Sequence, residues 1–193
     1  KINIGLPGCG GRMGGMLIRE IAQADDLNLV AATDRADSPH IGKDSGDVAG
    51  LASNGVLLGA DPASLFLEAD VVIDFSAPDA SMHHAALAAE TGKAMVIGTT
   101  GLTPDQEDML RQAAKQTAIV YCANTSVGVT LLTQLVEQVA TQLTTGWDIE
   151  ILETHHHHKI DAPSGTALAL GKAAARGRQV DLDRVADMVR KGQ

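Results

Sequence analysis

A glycine-rich turn between a short apolar strand and a helix is the feature that most constrains the fold of this chain. Residues 2–6 predict a buried strand, Gly8, Gly11 and Gly14 follow it, and a helix is predicted from Met16 onwards. Glycines let a backbone approach a pyrophosphate closely, and the start of a helix offers free N–H groups to an anion. The spacing departs from G-x-G-x-x-G, so a tight strand–helix turn without a ligand is the alternative.

The second predicted strand, over residues 29–33, leads into Asp34 and Arg35. Asp34 follows Gly14 at about the 20-residue distance at which an acidic group typically accepts hydrogen bonds from the adenosine ribose. Arg35 beside it could instead pair with a 2′-phosphate. A solvated pair of surface charges is the alternative, but the position after the second strand of a glycine-rich unit favours a dinucleotide site.

Predicted strands and helices then alternate as far as residue 121. The turns that are rich in glycine or hydroxyl groups all follow the carboxyl end of a strand, where open α/β sheets bind ligands. The class predicted is therefore α/β, with a Rossmann-type doubly wound parallel sheet. The predicted strands cover residues 56–58, 70–75, 94–97 and 118–121, and the helices begin at Asp61, after Pro78 and at Thr103. His83 and His84 fall inside the second of these helices, and the pattern assigns them no role.

Residues 127–193 predict the start of a second, α+β domain, after a dinucleotide-binding domain over residues 1–126. Apolar residues recur at helical spacing from Val127 to Leu143, which predicts a long core helix. A strand is predicted over 147–154, a helix over 165–175 and a further helix over 181–190.

Four consecutive histidines, His155 to His158, and Lys159 follow that predicted strand and precede a helix capped by Ser164. A purification tag would stand at a terminus. A metal cluster is disfavoured because neighbours in an extended segment point to opposite faces, and no Cys or His-x-x-x-His partner is near, so no metal is expected. A solvated loop is the remaining alternative to a reactive site.

Charge and composition argue against two classes of partner. The formal net charge is −9 and aromatic residues make up 2% of the chain, whereas nucleic-acid surfaces are basic and carry stacking rings. No apolar run approaches the ~20 residues that span a bilayer, and the chain opens on a strand rather than a signal peptide. Cys9 and Cys122 are far apart in sequence and are interpreted as reduced thiols, so a cytoplasmic location without membrane contact is expected.

Four motifs together resemble the 4-hydroxy-tetrahydrodipicolinate reductase (dihydrodipicolinate reductase) family, the pyridine-nucleotide enzymes of diaminopimelate and lysine biosynthesis. The resemblance extends over essentially all 193 residues, and the last motif is the most specific. The motifs are Gly8-x-x-Gly11-Arg12-Met13-Gly14, Gly98-Thr99-Thr100-Gly101, Ala123-Asn124-x-Ser126-Val127-Gly128-Val129 and Glu153-x-His155-His156-x-His158-Lys159-x-Asp161-Ala162-Pro163-Ser164-Gly165-Thr166.

The resemblance implies an oxidoreductase that uses NADH or NADPH, a small dicarboxylate substrate and a homotetramer for the full-length protein. It implies His155 as proton donor and acceptor and Lys159 as proton donor and cation, with substrate carboxylates bound by His156, Gly165 and Thr166. The implied cofactor residues, from phosphates to adenosine ribose to nicotinamide, are Gly8, Cys9, Gly10, Gly11, Arg12 and Met13; Asp34 and Arg35; and Gly98, Thr99, Thr100, Cys122, Ala123, Asn124 and Thr125.

These roles agree with elementary chemistry. A dicarboxylate needs cations and backbone N–H groups, which Lys159, His156 and a helix start supply in an otherwise acidic chain. Hydride addition to a conjugated imine leaves an electron-rich enamine, and a histidine that titrates near pH 7 suits its protonation.

Three positions depart from the family pattern. His157 stands where Arg or Asn is frequent, and we expect it to face solvent. Ser76 and Ala77 stand where some relatives have an arginine near the cofactor, which weakens an expectation of strong NADPH preference. Family members also continue beyond the point at which this chain stops, Gln193, so the chain resembles the N-terminal two-thirds of the enzyme. A histidine-rich metal hydrolase and a non-enzymatic dinucleotide sensor are the rival hypotheses.

Overall fold

The computed structural model describes residues 1–122, 124–144, 146–155, 157 and 162–188. The chain divides into two compact units, Lys1–Ala123 and Asn124–Gln193. The division lies close to the expected domain boundary after residue 126.

The first unit is built on a parallel sheet. Its strands are β1 (Ile2–Pro7), β2 (Leu27–Thr33), β3 (Leu58–Gly59), β4 (Val71–Asp74), β5 (Ala94–Ile97) and β6 (Ile119–Tyr121). They are arranged in the order β3-β2-β1-β4-β5-β6, and every pairing between neighbours is parallel. This order is that of a doubly wound dinucleotide-binding sheet, so the predicted fold class is confirmed.

Helices connect successive strands, and their first residues show why they begin where they do. The helices of this unit are α1 (Arg12–Gln23), α2 (Ser45–Val48), α3 (Pro62–Glu68), α4 (Pro78–Thr91) and α5 (Pro104–Ala113). Asp61 caps α3, and Thr103 forms a capping box with Gln106 at the start of α5; in both helices a proline follows the cap. Helix α4 ends at Gly92, whose φ of 68° is left-handed.

The core of the first unit is aliphatic, as the composition predicts. One buried cluster joins α3, α4 and α5 to β4 and β5, and Phe66 is its largest fully buried side chain. A second cluster is formed around β1 and α1 and includes Leu6, Ile18 and Leu58. Helix α3 approaches β1 so closely that a Cβ atom on Gly5 would lie 2.6 Å from the Leu65 side chain and 2.9 Å from Ala69.

The segment between β2 and β3 differs from its prediction in two respects. A short helix, α2, is present, and β3 lies at Leu58–Gly59 rather than over residues 56–58. Both differences follow from Asp44, whose carboxylate accepts backbone hydrogen bonds from Gly46 at 2.8 Å, Asn54 at 3.0 Å and Gly55 at 2.7 Å. These bonds, led by that from Asn54, lower the pKa of Asp44. The carboxylate therefore starts α2 and holds residues 54–55 in a turn, which delays the strand.

The second unit contains the helices α6 (Val127–Gln142), α7 (Gly165–Gly177) and α8 (Leu182–Val185). Helices α6 and α7 approach closely at Gly177, where an added Cβ atom would lie 2.4 Å from the Glu137 carbonyl oxygen. Arg176 pairs with the Glu137 carboxylate at 2.8 Å across the same contact. The last helix is shorter than predicted, since α8 ends at Val185.

Two predictions for this unit are wrong. Residues 147–154 form no strand, because a strand needs a hydrogen-bonded neighbour and the described residues of the unit provide none. Helix α6 was expected to lie in the core, yet Ala140 is its only buried residue. Leu131, Leu135 and Val139 are each more than half exposed, so the apolar face of the helix is open except where α7 covers it.

None of the helices in the described ranges combines the length and the apolar character needed to cross a membrane.

The contact between β1 and α3 provides a test of the packing. Gly5→Ala should lower the free energy of unfolding by about 1–3 kcal/mol, because the new methyl group overlaps buried side chains. Gly59→Ala is the matched control in the same sheet, since its nearest neighbours would lie at 3.9 Å. Urea unfolding of both variants measures the difference. An equally stable Gly5→Ala protein would contradict the close packing of α3 on β1.

Candidate active site

The carboxyl edge of the sheet contains a point at which the chain reverses direction across the strands. From β1 the chain moves outward to β2 and β3, whereas β4 returns to the other side of β1 and β5 and β6 continue from there. The connections after β1 and β4 therefore leave in opposite directions, and a crevice opens between them. The helices that follow these two strands, α1 and α4, begin at this crevice.

Helices α1 and α4 begin differently from the others in the described part of the chain. Their N-cap residues are Gly11 and Ala77, and neither has a side chain that accepts a hydrogen bond from the first turn. Every other helix there has such a cap, and the capping residues are Asp44, Asp61, Thr103, Ser126, Ser164 and Asp181. The uncapped N–H groups at the start of α1 fit the phosphates of a dinucleotide, whereas α4 opens on Pro78 and Asp79 and offers fewer donors.

The turn between β1 and α1 is shaped by glycine and supported by a buried cysteine. Gly8 has a φ of 71°, which favours glycine. Cys9 is fully buried; its backbone N–H donates to the Thr33 carbonyl at 3.0 Å and its thiol to the Leu6 carbonyl at 2.9 Å. Burial, assisted by the charge of Asp34, raises the pKa of the Cys9 thiol to about 12. Cys9 thus supports the turn from the interior, while Gly11, Arg12 and Met13 are exposed.

Asp34 lies beside this turn. Its carboxylate accepts hydrogen bonds from the Arg35 backbone at 2.9 Å and from the Ser38 hydroxyl at 2.7 Å. A Cβ atom on Gly10 would lie 2.2 Å from one carboxylate oxygen and 2.8 Å from the His40 ring. The fold therefore brings Asp34 against Gly10, as expected for residues that contact one ligand. The Arg35 side chain is 81% exposed and lies 3.8 Å from Asp37.

The turn after β5 provides the third group of predicted cofactor residues, on the other side of the crevice from Asp34. The Gly98 backbone donates to the Asp74 carbonyl at 2.8 Å, Thr99 is buried, and Thr100 is exposed. Cys122, after β6, donates its backbone N–H to the Ile97 carbonyl at 3.0 Å. Asn124 and Thr125 belong to the second unit, and Ala123 lies outside the described residues.

Sequence reasoning missed two residues behind this turn. Asp74, the last residue of β4, is fully buried, and its carboxylate lies 2.9 Å from Nδ1 of His84 on α4. Burial alone would raise the pKa of Asp74, but the hydrogen bond and charge of His84, together with Ser76 and Ser81, lower it. The sequence did contain a signal for this pair. Asp74 ends an apolar strand, and the helix that follows contains His84.

In the second unit, Glu153 connects the histidine segment to the start of α7. One carboxylate oxygen accepts the Ser164 backbone N–H at 2.8 Å, and the other lies 3.7 Å from Nδ1 of His155. The His155 side chain is 37% exposed, and His157 is also exposed. Gly165 and Thr166 lie exposed in the first turn of α7, where an added Cβ on Gly165 would meet nothing within 4 Å. His156, His158, Lys159 and Asp161 lie outside the described residues.

Among the described residues, no group of three His, Cys, Asp or Glu side chains is placed to hold a metal ion, so these residues do not support the metal-hydrolase hypothesis. Two of the four consecutive histidines are outside those residues, so this observation concerns the rest of the chain.

Comparison with known proteins gives a consistent result. The family model described as dihydrodipicolinate reductase, N-terminus, matches residues 2–125, and that described as dihydrodipicolinate reductase, C-terminus, matches residues 128–192. The 4-hydroxy-tetrahydrodipicolinate reductase of Ruegeria pomeroyi is 49% identical over 97% of this chain and 70% of its own length. The protein of the same name from Halorhodospira halophila is 47% identical over 100% of this chain and 72% of its own. The chain thus spans about 70% of the length of these relatives.

Among solved structures, dipicolinate-bound dihydrodipicolinate reductase from Paenisporosarcina sp. TG-14 superposes with a TM-score of 0.72. It is 28% identical, and the match covers 92% of this chain and 66% of that one. An amine dehydrogenase from Mycobacterium smegmatis, 19% identical with a TM-score of 0.58 over 75% of this chain and 45% of its own, shares the fold alone. The two matched family models and the identity to curated relatives show that this chain belongs to the dihydrodipicolinate reductase family of NAD(P)H-dependent oxidoreductases.

Proposed function

We propose that the chain acts in the reduction of 4-hydroxy-tetrahydrodipicolinate (dihydrodipicolinate) to tetrahydrodipicolinate, with NADH or NADPH, in lysine and diaminopimelate biosynthesis. The observation that supports this most strongly is the uncapped start of α1 at the crevice of the sheet, with Asp34 beside it at the end of the second strand. A dinucleotide supplies phosphates to the N–H groups and ribose hydroxyls to the carboxylate. A cytoplasmic homotetramer belongs to the same proposal, on the resemblance alone.

All the residues assigned to the cofactor except Asn124 and Thr125 belong to the first unit. Gly8 to Met13 bind the phosphates through the backbone, and Asp34 accepts the hydroxyls of the adenosine ribose. Gly98, Thr99 and Thr100 line the nicotinamide half, with Cys122, Ala123, Asn124 and Thr125. When bound, the reduced nicotinamide supplies the hydride.

The substrate is assigned to the second unit. A dicarboxylate requires hydrogen-bond donors and positive charge, and the first turn of α7 offers the N–H groups of Gly165 and Thr166. Ser164 caps this helix through its hydroxyl and is itself held by Glu153, so the start of α7 is fixed before a ligand binds. His156 and Lys159 complete the carboxylate site in this proposal, because they are the cationic residues of the motif that precedes α7.

Reduction of the substrate consumes one hydride and one proton and releases the 4-hydroxyl group as water, and the histidine segment is proposed to handle the proton. The His155 side chain is partly open to solvent, and its Nδ1 lies 3.7 Å from the Glu153 carboxylate. Lys159 serves as a proton donor and as a cation beside the substrate. Glu153 holds the start of α7 through Ser164 and lies 3.7 Å from His155, so its carboxylate lies between the two parts of the proposed substrate site.

The direct test is oxidation of NADH on addition of substrate made in situ by the enzyme that precedes this step. Loss of NADH absorbance that depends on both the substrate and the protein supports the proposal. NADH binding without turnover, in protein with the full length of the relatives, would instead support the dinucleotide-sensor hypothesis.

Gly10 tests the adenosine end of the cofactor site. Gly10→Ala should raise the Kd for NADH by at least about tenfold, because the new methyl group overlaps Asp34 and His40 and displaces the ribose acceptor. Gly15→Ala is the control within the adjoining helix, since its nearest contact would be an ordinary 3.7 Å to Arg19. Isothermal titration of NADH compares the two, and equal affinities would show that Gly10 and Asp34 do not share a ligand.

Cofactor choice tests Arg35. Asp34 should repel a 2′-phosphate and the exposed Arg35 side chain should attract it, so NADH and NADPH should give kcat/KM values within about tenfold of each other. Steady-state assays with each cofactor measure the ratio. A preference above a hundredfold in either direction would show that one of the two side chains does not face the ribose.

The histidine segment tests the proton step. His155→Ala should lower kcat by ~10²–10⁴ with little change in substrate KM, because a positioned proton donor is lost. Lys159→Ala should damage both parameters, since this residue also faces the dianionic substrate. His157→Ala is the neighbouring control and should be nearly silent, because His157 is exposed.

Assays from pH 6 to 9 would compare the three variants. If His157→Ala is as damaging as His155→Ala, the roles assigned along this segment are wrong.

A further inference from the structure

A buried polar network lies directly behind the proposed nicotinamide end of the cofactor site. It joins Asp74 at the end of β4, Ser81 and His84 on α4, and Thr99 after β5. Asp74 and Ser81 are fully buried, Thr99 is 5% exposed and His84 is 7% exposed. The residues come from three separate elements that meet at the carboxyl edge of the sheet.

Hydrogen bonds connect the buried Asp74 carboxylate to the loop after β5. The Asp74 carboxylate lies 2.9 Å from Nδ1 of His84, and its other oxygen accepts the Ser76 backbone N–H at 2.8 Å. The same N–H reaches the Thr99 hydroxyl at 3.1 Å, and the Ser81 hydroxyl donates to Thr99 at 2.8 Å. The Thr99 side chain is therefore fixed by two partners, one from the turn after β4 and one from α4.

Strand order indicates which half of a dinucleotide this network faces. The phosphates are assigned to the turn after β1, and the adenosine ribose to Asp34 after β2. The remaining half must extend to the other side of the crevice, over β4 and β5, where Ser76 and Thr99 lie. The network is thus behind the nicotinamide half and away from the adenosine half.

Packing alone does not explain the choice of residues. A buried ion pair commonly stabilises a protein no more than apolar side chains of the same volume would. A fully bonded polar network does, however, fix the direction of every group in it. A network of this kind holds the loop that contains Thr99 in one position.

We propose that Asp74, His84 and Ser81 are positioning residues that hold Thr99 and the loop after β5 in place for the nicotinamide half of the cofactor. The proposal rests on the proposed use of NADH or NADPH. It assigns a role to His84, which the sequence pattern left without one, and distinguishes it from the exposed neighbour His83.

The test compares the affinity for NADH with that for ADP-ribose, which lacks the nicotinamide. Ser81→Ala removes one hydroxyl, and His84→Leu removes the partner of Asp74. Each should raise the Kd for NADH by about tenfold or more while the Kd for ADP-ribose changes less than about twofold. His84→Asn, whose amide nitrogen can occupy the position of Nδ1, should restore most of the NADH affinity. His83→Leu is the matched control and should change neither constant.

Titration calorimetry and thermal unfolding of each variant separate the outcomes. Equal losses of affinity for both ligands, together with a lowered Tm, would show a merely structural role and overturn the proposal. NADH affinity unchanged in Ser81→Ala and His84→Leu would overturn it as well, with the proposed function intact. Failure of the unaltered protein to bind NADH would overturn both.

Discussion

The reversal of strand order between β1 and β4 is the constraint on which the rest of the first unit depends. Parallel pairing places the carboxyl ends of all six strands at one edge, and the reversal leaves that edge uncovered between β1 and β4. Helices α1 and α4 start there without side-chain caps, although the other helices in the described ranges are capped. Unsatisfied N–H groups are tolerated at this place because water, or a phosphate, can reach them.

In contrast to these open N–H groups, the carboxylates around this edge accept hydrogen bonds from neighbouring groups of the protein. Asp34 is bonded by Arg35 and Ser38, and Asp74 by His84 and Ser76. A buried carboxylate without such donors would cost several kcal/mol. The site therefore combines carboxylates that protein donors already hold in place with backbone N–H groups that are left open, and these open donors suit an anionic ligand.

The second unit is held together differently. Close packing of α6 on α7 at Gly177 and the pairing of Arg176 with Glu137 join its two long helices. The apolar face of α6 outside this contact is exposed, and the segment from Trp147 to Thr154 has no strand partner among the described residues. Glu153 nevertheless connects two parts of this unit, because it holds Ser164 at the start of α7 and lies 3.7 Å from His155.

Most of the first unit was predictable because its signals are local. Apolar runs indicated the strands, and proline and capping residues indicated the helix starts, so α3, α4 and α5 were expected to begin where they do. The delayed β3 was not predictable, because the Asp44 carboxylate also accepts the backbone N–H groups of Asn54 and Gly55, which lie 10 and 11 residues further along the chain. The strand expected over 147–154 failed for a related reason, since strand structure depends on a neighbour and not on the segment itself.

The sequence by itself determined the fold class, the glycine turn, Asp34 and the histidine motif, because these depend on residue type and short spacing. Only the tertiary structure decided that Asp34 lies against Gly10, that α1 and α4 are left uncapped at the crevice, and that His84 rather than His83 is buried against Asp74. The two contacts join separate elements and the crevice follows from the strand order, so all three depend on how the helices pack on the sheet.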